Sequence, residues 1–258
     1  MIDWELSVQY ADGAFPGHYG EPGSKPVIFN TGQIIHGLLA GHLRLGRPEC
    51  LAAAVRACVW LAKQQDPDGC WRSSQHNDIP HTYDTRASWA VLRTGLIAHE
   101  AKLQSVAVRQ LDWALQQQDD GWFASNAFTL HAAPFTHTIG YAISGFLTSG
   151  LLLGDERYLF AARKAAQAIA KIQHMDGWLA GAYPDYVPGI IIAILCPPRL
   201  RGEPPRIAVA VTATGHISIR GQRAIRAALV RSAKLVFGEV PPKRSKEAGT
   251  PPMLPASS

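Results

Sequence analysis

One short phrase recurs along the chain and constrains its fold more than any other feature. A Gln is followed two or three residues later by Asp-Gly, with aromatic residues close by. The four glycines of the phrase are 56, 52 and 56 residues apart, at Gly13, Gly69, Gly121 and Gly177. A long period that repeats in this way is typical of a repeat architecture built from one supersecondary unit.

A second landmark keeps the same period. Thr31, Thr85 and Thr138 are 54 and 53 residues apart, and each stands near the start of a segment whose apolar residues have helical spacing. A second helical segment then runs to the next Gln of the phrase. Predicted helices therefore cover residues 4–9, 30–45, 48–65, 84–96, 102–118, 137–153 and 158–173.

A pair of helices cannot bury both of its faces alone, so successive pairs must stack side by side. The first helix of each pair is more apolar and contains glycine, which suits an inner layer; the second is richer in Lys and Arg, which suits an outer layer. Gly37 and Gly41 are one turn apart and predict a close approach by a neighbouring helix. The predicted fold of residues 1–186 is all-α, an α/α toroid or an incomplete arc of one.

The repeated phrase resembles the Gln-Trp motif of triterpene cyclases, one of the α/α-toroid families. The match is complete in the second repeat, at Arg56-Ala57, Trp60-Leu61, Gln65, Gly69 and Trp71. Protein prenyltransferase β subunits and six-hairpin glycosidases share the architecture. The resemblance implies the toroid fold but not the cyclase or transferase chemistry, because the chain has no D-x-D-D motif and no comparable Asp, Cys and His zinc set.

The charge of the chain is unevenly distributed. The net charge is +5, but residues 187–258 hold 11 of the 25 Lys and Arg and only 3 of the 20 acidic residues. The repeat region is therefore mildly acidic, which argues against nucleic acid as its partner. We expect the Pro-rich tail to contain a hairpin around Thr214-Gly215, a basic helix over 220–236 and a disordered end. A shifted reading frame and a genuine interaction tail are both open interpretations of this segment.

The sequence also bears on localisation and cofactors. The N-terminus does not read as a signal peptide, and no apolar run approaches the roughly 18 residues of a membrane span. The four cysteines are scattered without C-x-x-C spacing, which is typical of reduced thiols. We therefore expect a cytoplasmic protein without a transmembrane segment, a metal site or a cofactor.

Candidate site residues lie where the inner helices begin, because these ends converge on one mouth of a toroid. The predicted catalytic residues are Asp84, Arg86 and His137. The predicted substrate-binding residues are Tyr83, Asn30, His81, Tyr19 and Phe135. Aromatic rings mixed with carboxylate, Arg and His side chains suit a sugar, which presents C–H faces and hydroxyl groups together.

Structural roles compete with these assignments. Asn30, Asp84 and Thr138 are good helix N-caps, and Arg86 can pair with Asp84. His137 can equally be a core or capping residue. The aspartates of the repeated phrase precede glycine, which favours turn formation over catalysis.

Three functions remain open from the sequence. The first is an enzyme or binding protein for an oligosaccharide or another small carbohydrate, similar to the six-hairpin glycosidases, lyases and epimerases. The second is an isoprenoid-handling protein, and the third is a non-catalytic scaffold. An incomplete ring would leave apolar helix faces uncovered, which predicts a homodimer.

Overall fold

The computed structural model describes residues 1–17, 23–130 and 132–183, and these form an almost entirely helical fold. Two short strands pair antiparallel within one loop. The elements in chain order are α1 (Ile2–Ser7), α2 (Ile28–Leu45), α3 (Pro48–Gln64), α4 (Thr85–Ile97), α5 (Ala101–Leu115), β1 (Gln118–Asp119), β2 (Trp122–Phe123), α6 (Thr136–Leu153) and α7 (Glu156–Ile172). Each predicted helix is present, with ends that differ from the prediction by a few residues.

The helices pair as three consecutive hairpins, α2 with α3, α4 with α5 and α6 with α7. The first helices of the hairpins, α2, α4 and α6, also pack side by side as an inner layer. The second helices α3, α5 and α7 form the outer layer. This arrangement confirms the all-α fold of the α/α-toroid class.

Three of the four copies of the repeated phrase, those of Gln9, Gln65 and Gln118, bond to the outer helix that follows them. In the second repeat, Gln65 Nε2 donates to the carbonyl oxygens of Gly69 (3.0 Å) and Val106 (2.9 Å). Arg109 of α5 donates to Gln65 Oε1 through Nη2 at 2.5 Å. The equivalent bonds to the next outer helix run from Gln9 to Ala53 and from Gln118 to Ala161. The repeated Gln therefore acts as a structural link between repeats.

The Asp-Gly pair of the phrase forms the turn. Asp68 Oδ1 accepts a hydrogen bond from the backbone of Cys70, and Asp12 and Asp176 accept the equivalent bonds two residues ahead. Gly69 has φ of +92°, and a Cβ there would collide with the carbonyl of Arg109. The turn therefore requires glycine at this position, both for its conformation and for close contact with α5. The predicted turn role of these aspartates is confirmed.

Two apolar clusters form the core. The first lies among α2, α3, α4 and the start of α5, and the fully buried rings of Phe15 and Trp71 belong to it. The second lies among α5, α6 and α7 and is built around Phe146 and Tyr158. Both clusters lie between the inner and the outer layer of helices. Each is built from residues of more than one hairpin, so buried apolar contacts hold neighbouring hairpins together.

The glycines that bring the inner helices together differ from the predicted pair. Gly32 of α2 packs on Ala87, and Gly145 of α6 packs on the backbone of Thr85, so that a Cβ at either would collide with α4. Gly37 is exposed with nothing within 4 Å of a Cβ placed on it. Gly41 is buried against Cys50 of α3 and Ile2 of α1, so the predicted close approach of a neighbouring helix is confirmed at this position. The prediction for Gly37 is wrong, because it lies on the open side of the helix.

The predicted capping roles are also wrong. Helix α2 begins at Ile28 and α6 at Thr136, so Asn30 and Thr138 lie inside the first turns, and neither helix has a side-chain cap. Asp84 occupies the N-cap position of α4, but its side chain makes no capping bond.

The tail predictions, for residues 187–258, lie outside the described residues. Tyr19, a predicted substrate-binding residue, also lies outside them. Within the described ranges, none of the helices has both the length and the apolar character needed to cross a bilayer.

Candidate functional site

A cleft of about 430 Å³ opens where helices α2 and α6 begin. Its walls come from the loop before α2, the 3-10 turns before α4, the loop before α6 and the first turns of α2 and α6. The lining residues are Ser24, Lys25, Val27, Phe29, Asn30, His76, Tyr83, Phe128, His137 and Tyr141. The cleft therefore lies where the sequence predicts a site, at the start of the inner helices.

Aromatic rings form most of the wall of the cleft. Phe29 of α2 meets Tyr83 edge to face at 5.2 Å and Tyr141 of α6 at 5.0 Å between ring centroids. Phe128 closes the other side, with its centroid 5.6 Å from that of His137 and 5.2 Å from that of His76. Because these rings hold one another from several elements, the wall is preorganised.

His137 is the second residue of α6. Its ring stacks on Phe135 at 5.4 Å and meets Tyr141 edge to face at 5.6 Å. Nδ1 is buried and has no hydrogen-bond partner among the described residues. Burial lowers the pKa of His137 below its usual value, so the imidazole is neutral at neutral pH.

Asn30 and Lys25 supply polar groups at the cleft. Asn30 Nδ2 donates to the carbonyl of Gly17 at 2.8 Å, which ties the first turn of α2 to the preceding loop. The ammonium of Lys25 lies 2.9 Å from Asp78 Oδ1, and both side chains are largely exposed. Lys25 is thus an exposed, ion-paired cation at the rim, whereas Asn30 is tied to the backbone of the preceding loop.

Asp84 lies beneath the cleft wall and not in it. Its side chain is 1% exposed, Oδ2 accepts a 2.5 Å hydrogen bond from Gln75 Nε2, and Oδ1 has no partner among the described residues. Burial raises the pKa of Asp84 to about 7, and the Gln75 bond opposes that rise only partly. The carboxyl therefore has the acidity of a general acid, but in this conformation it is not exposed to the cleft.

Arg86 joins the three inner helices. Nε donates to Gln33 Oε1 on α2 at 2.6 Å, and Nη1 donates to Ser144 Oγ on α6 at 3.2 Å. The guanidinium also lies 5.2 Å from the ring centroid of Tyr141 and 5.6 Å from that of Trp89. Burial lowers the pKa of Arg86, though a guanidinium stays charged. Arg86 therefore supports the cleft from behind Tyr141, and no contact joins it to Asp84.

Of the remaining predicted binding residues, one lines the cleft and two pack behind its wall. Tyr83 lines the cleft although it is only 2% exposed. His81 is buried, its Nε2 lies 2.9 Å from the carbonyl oxygen of His76, and its ring stacks on Tyr83 at 4.4 Å. Phe135 stacks on His137 and is not part of the lining. Of the predicted set, Asn30, Tyr83 and His137 thus reach the cleft.

Sequence reasoning missed other lining residues, chiefly Tyr141, Phe128 and Lys25. Tyr141 follows His137 by four residues on α6, so helical spacing alone places it on the same face. Phe128 and Lys25 lie in loops, where no periodicity indicates a direction. The described part of the chain contains no group of three His, Cys, Asp or Glu side chains that could hold a metal ion.

The fold and the cleft define an all-α protein of the α/α-toroid class with an aromatic cleft at the start of its inner helices. Among solved structures it is similar to an α-1,6-mannanase, GH76A of Salegentibacter sp. HEL1_6, with a TM-score of 0.55 and 14% sequence identity. That structure is an inactive variant, with two adjacent aspartates replaced by asparagine, in complex with α-1,6-mannotriose.

The alignment covers 72% of this chain and 54% of the mannanase, so the chain spans about half the length of that protein. This likeness shows the fold. No family model and no curated protein sequence matches the chain.

Proposed function

We propose that the cleft binds a carbohydrate. The observation that carries this proposal is the composition of the wall, in which rings surround a small set of polar groups. Phe29, Phe128 and Tyr141 supply flat apolar surface, while Asn30 and Lys25 supply hydrogen-bond donors. A sugar ring offers C–H faces to the first group and hydroxyls to the second.

The lining favours a sugar over an isoprenoid chain. Seven of the ten lining residues carry a nitrogen or oxygen in the side chain, and none is Leu, Ile, Met or Trp. The hydrocarbon part of an isoprenoid offers no hydrogen bond to polar groups of the lining such as the Asn30 amide and the Lys25 ammonium, whereas sugar hydroxyls can accept from both.

The geometry supports binding more directly than glycoside hydrolysis. Hydrolysis requires two carboxyl groups on opposite sides of the scissile bond. No Asp or Glu is among the described residues that line the cleft, and Asp84 is buried behind it. The adjacent pair Asp119 and Asp120 belongs to an exposed turn at β1. The mannanase variant lacks activity after two adjacent aspartates are changed, and this chain has no equivalent pair at the described cleft.

The test is ligand binding by isothermal titration and by thermal shift, using the full chain. The panel comprises neutral and acidic mono- and oligosaccharides, including α-1,6-mannotriose, with prenyl diphosphates as a separate arm. We expect a sugar to bind, and at about 100 times its Kd it would add about 2.7 kcal/mol to the free energy of unfolding. Stabilisation by prenyl diphosphates and by none of the sugars would overturn the proposal.

Matched variants locate the site. Phe128→Ala and Tyr141→Ala remove aromatic surface from the cleft, so each should weaken sugar binding about tenfold, a loss of roughly 1.4 kcal/mol. Phe160→Ala is the control, because Phe160 is an exposed ring on α7 away from the cleft. Equal binding by all three variants would place the sugar elsewhere.

A further inference from the structure

The lining of the cleft contains a cation but no carboxylate. The ammonium of Lys25 lies in it, and no Asp or Glu is among the described lining residues. From this wall and the unpaired guanidinium behind it, we infer that the carbohydrate bound in the cleft is an acidic sugar, with its carboxylate held at the Lys25 side. This inference rests on the proposed function and specifies the class of ligand.

Arg86 provides the fixed positive charge. Its guanidinium lies 5.2 Å from the ring of Tyr141, and Tyr141 lines the cleft. Its hydrogen-bond partners, Gln33 and Ser144, are neutral. No carboxylate of the described residues pairs with it, so its charge is not cancelled locally. A half-buried charge of this kind is screened less by solvent than one at the surface.

Lys25 provides the solvent-exposed positive charge. It is bound to Asp78 over 2.9 Å, but the two side chains are 65% and 72% exposed. An ion pair that is so exposed contributes little to stability and is readily exchanged. Lys25 can therefore leave Asp78 to bind a ligand carboxylate at the rim of the cleft.

The two helices that begin at the cleft add to this positive field. Val27 and Phe135 occupy the N-cap positions of α2 and α6, and neither helix start has a capping side chain. Phe29 and His137, from the first turns of these helices, line the cleft. The first N–H of each helix, at Ile28 and Thr136, donates to the carbonyl oxygens of Ser74 and Gly181. The following N–H groups of the first turn carry the partial positive charge of a helix N-terminus, which favours an anion nearby.

The nearest buried carboxyl does little to offset this field. Asp84 follows Tyr83 in the chain, and burial raises its pKa to about 7. Near neutral pH a large fraction of the molecules therefore carry Asp84 in the uncharged form. In those molecules Asp84 adds no negative charge beside the cleft.

The test compares sugars that differ only in charge. Methyl glycosides of glucuronate, galacturonate and mannuronate are titrated against the full chain beside the neutral glucoside, galactoside and mannoside, with sodium acetate as an anion without a sugar ring. At low ionic strength we expect at least one uronide to bind at least tenfold more tightly than its neutral counterpart, with the ratio falling as salt is added. Acetate should bind far more weakly than the uronide.

The variant Lys25→Met should reduce that uronide ratio severalfold, because an ammonium contributes more to the binding of a carboxylate than to the binding of a neutral hydroxyl. Lys102→Met is the control, because Lys102 is exposed on α5 and does not line the cleft. Neutral glycosides that bind as tightly as the uronides would overturn the acidic inference and leave the proposed function standing. If acetate binds as tightly as the uronide, the cleft recognises the anion and not the sugar ring, and the inference is overturned. Binding of no sugar of either kind would overturn both.

Discussion

Gln75 donates a hydrogen bond to Asp84 over 2.5 Å, and both side chains are buried. One oxygen of Asp84 and the amide oxygen of Gln75 have no partner among the described residues. Burial therefore favours the protonated form of Asp84 and raises its pKa to about 7.

This pair predicts a pH-dependent stability. The pKa of Asp84 is raised from 3.8 to about 7, so its contribution to stability is fully present below about pH 4 and is lost as the pH rises from there through about 7. Asp84→Asn removes this titration. We expect the variant to gain stability over the natural protein between pH 5 and 8, by on the order of 4 kcal/mol at the upper end.

The measurement is urea denaturation at several pH values, followed by circular dichroism. Asp120→Asn is the control for loss of a carboxylate, because Asp120 is exposed and asparagine tolerates its φ of +40°. A constant difference between Asp84→Asn and the natural protein across this range would show that Asp84 is charged in the fold.

The links between repeats give a second prediction. Gln65→Ala removes the hydrogen bonds to Gly69 and Val106 and leaves Arg109 without its partner. We expect a loss of about 1–3 kcal/mol in the free energy of unfolding. Gln173→Ala is the matched control, since Gln173 Nε2 bonds only within its own turn, to Gly177, among the described residues. If the two variants lose equal stability, the bond across repeats is not the cause.

Close packing of the inner helices gives a third prediction. Gly145→Ala would press a methyl group into the backbone of Thr85, so α4 and α6 must separate, at a cost of about 1–3 kcal/mol. Gly37→Ala is the control, because Gly37 lies in the middle of α2 with open space around it. That change should add about 0.5–1 kcal/mol from helix propensity. Thermal unfolding of both variants checks the prediction, which fails if they shift the midpoint in the same direction.

The sequence repeat made the helical fold predictable. It predicted the position of the site, but only some of the residues that line it. The Gln and Asp-Gly positions and the Thr landmarks predicted three helical hairpins, and α2 starts only two residues before its predicted first residue, Asn30. The location of the cleft followed from the same reasoning. Its details did not, because they depend on packing between distant segments.

Asp84 and Phe128 show this limit. A polar residue just before a helix is usually a cap, yet Asp84 is buried against Gln75 through a loop whose path has no sequence period. Phe128 lies in a loop after β2, and its ring is directed by contacts with His76, Tyr83 and His137. Tyr141 was within reach of sequence reasoning, since helical spacing from His137 places it on the same face.

The fourth prediction concerns Arg86. Arg86→Lys keeps the charge, but an ammonium lacks the planar fork that donates to Gln33 and Ser144 and stacks on Tyr141 and Trp89. The variant should lose about 1–2 kcal/mol of stability, because two neutral hydrogen bonds and partly buried ring contacts are weakened together.

Arg163→Lys provides the comparison for Arg86→Lys. Arg163 lies 5.2 Å from the ring of Phe160 on the exposed face of α7, where a cation–π contact is worth about 0.5–1 kcal/mol at most. Urea unfolding should therefore show a clearly smaller loss for Arg163→Lys than for Arg86→Lys. Equal losses would mean that the guanidinium of Arg86 does not hold α2, α4 and α6 together, and that its charge alone accounts for its place behind the cleft.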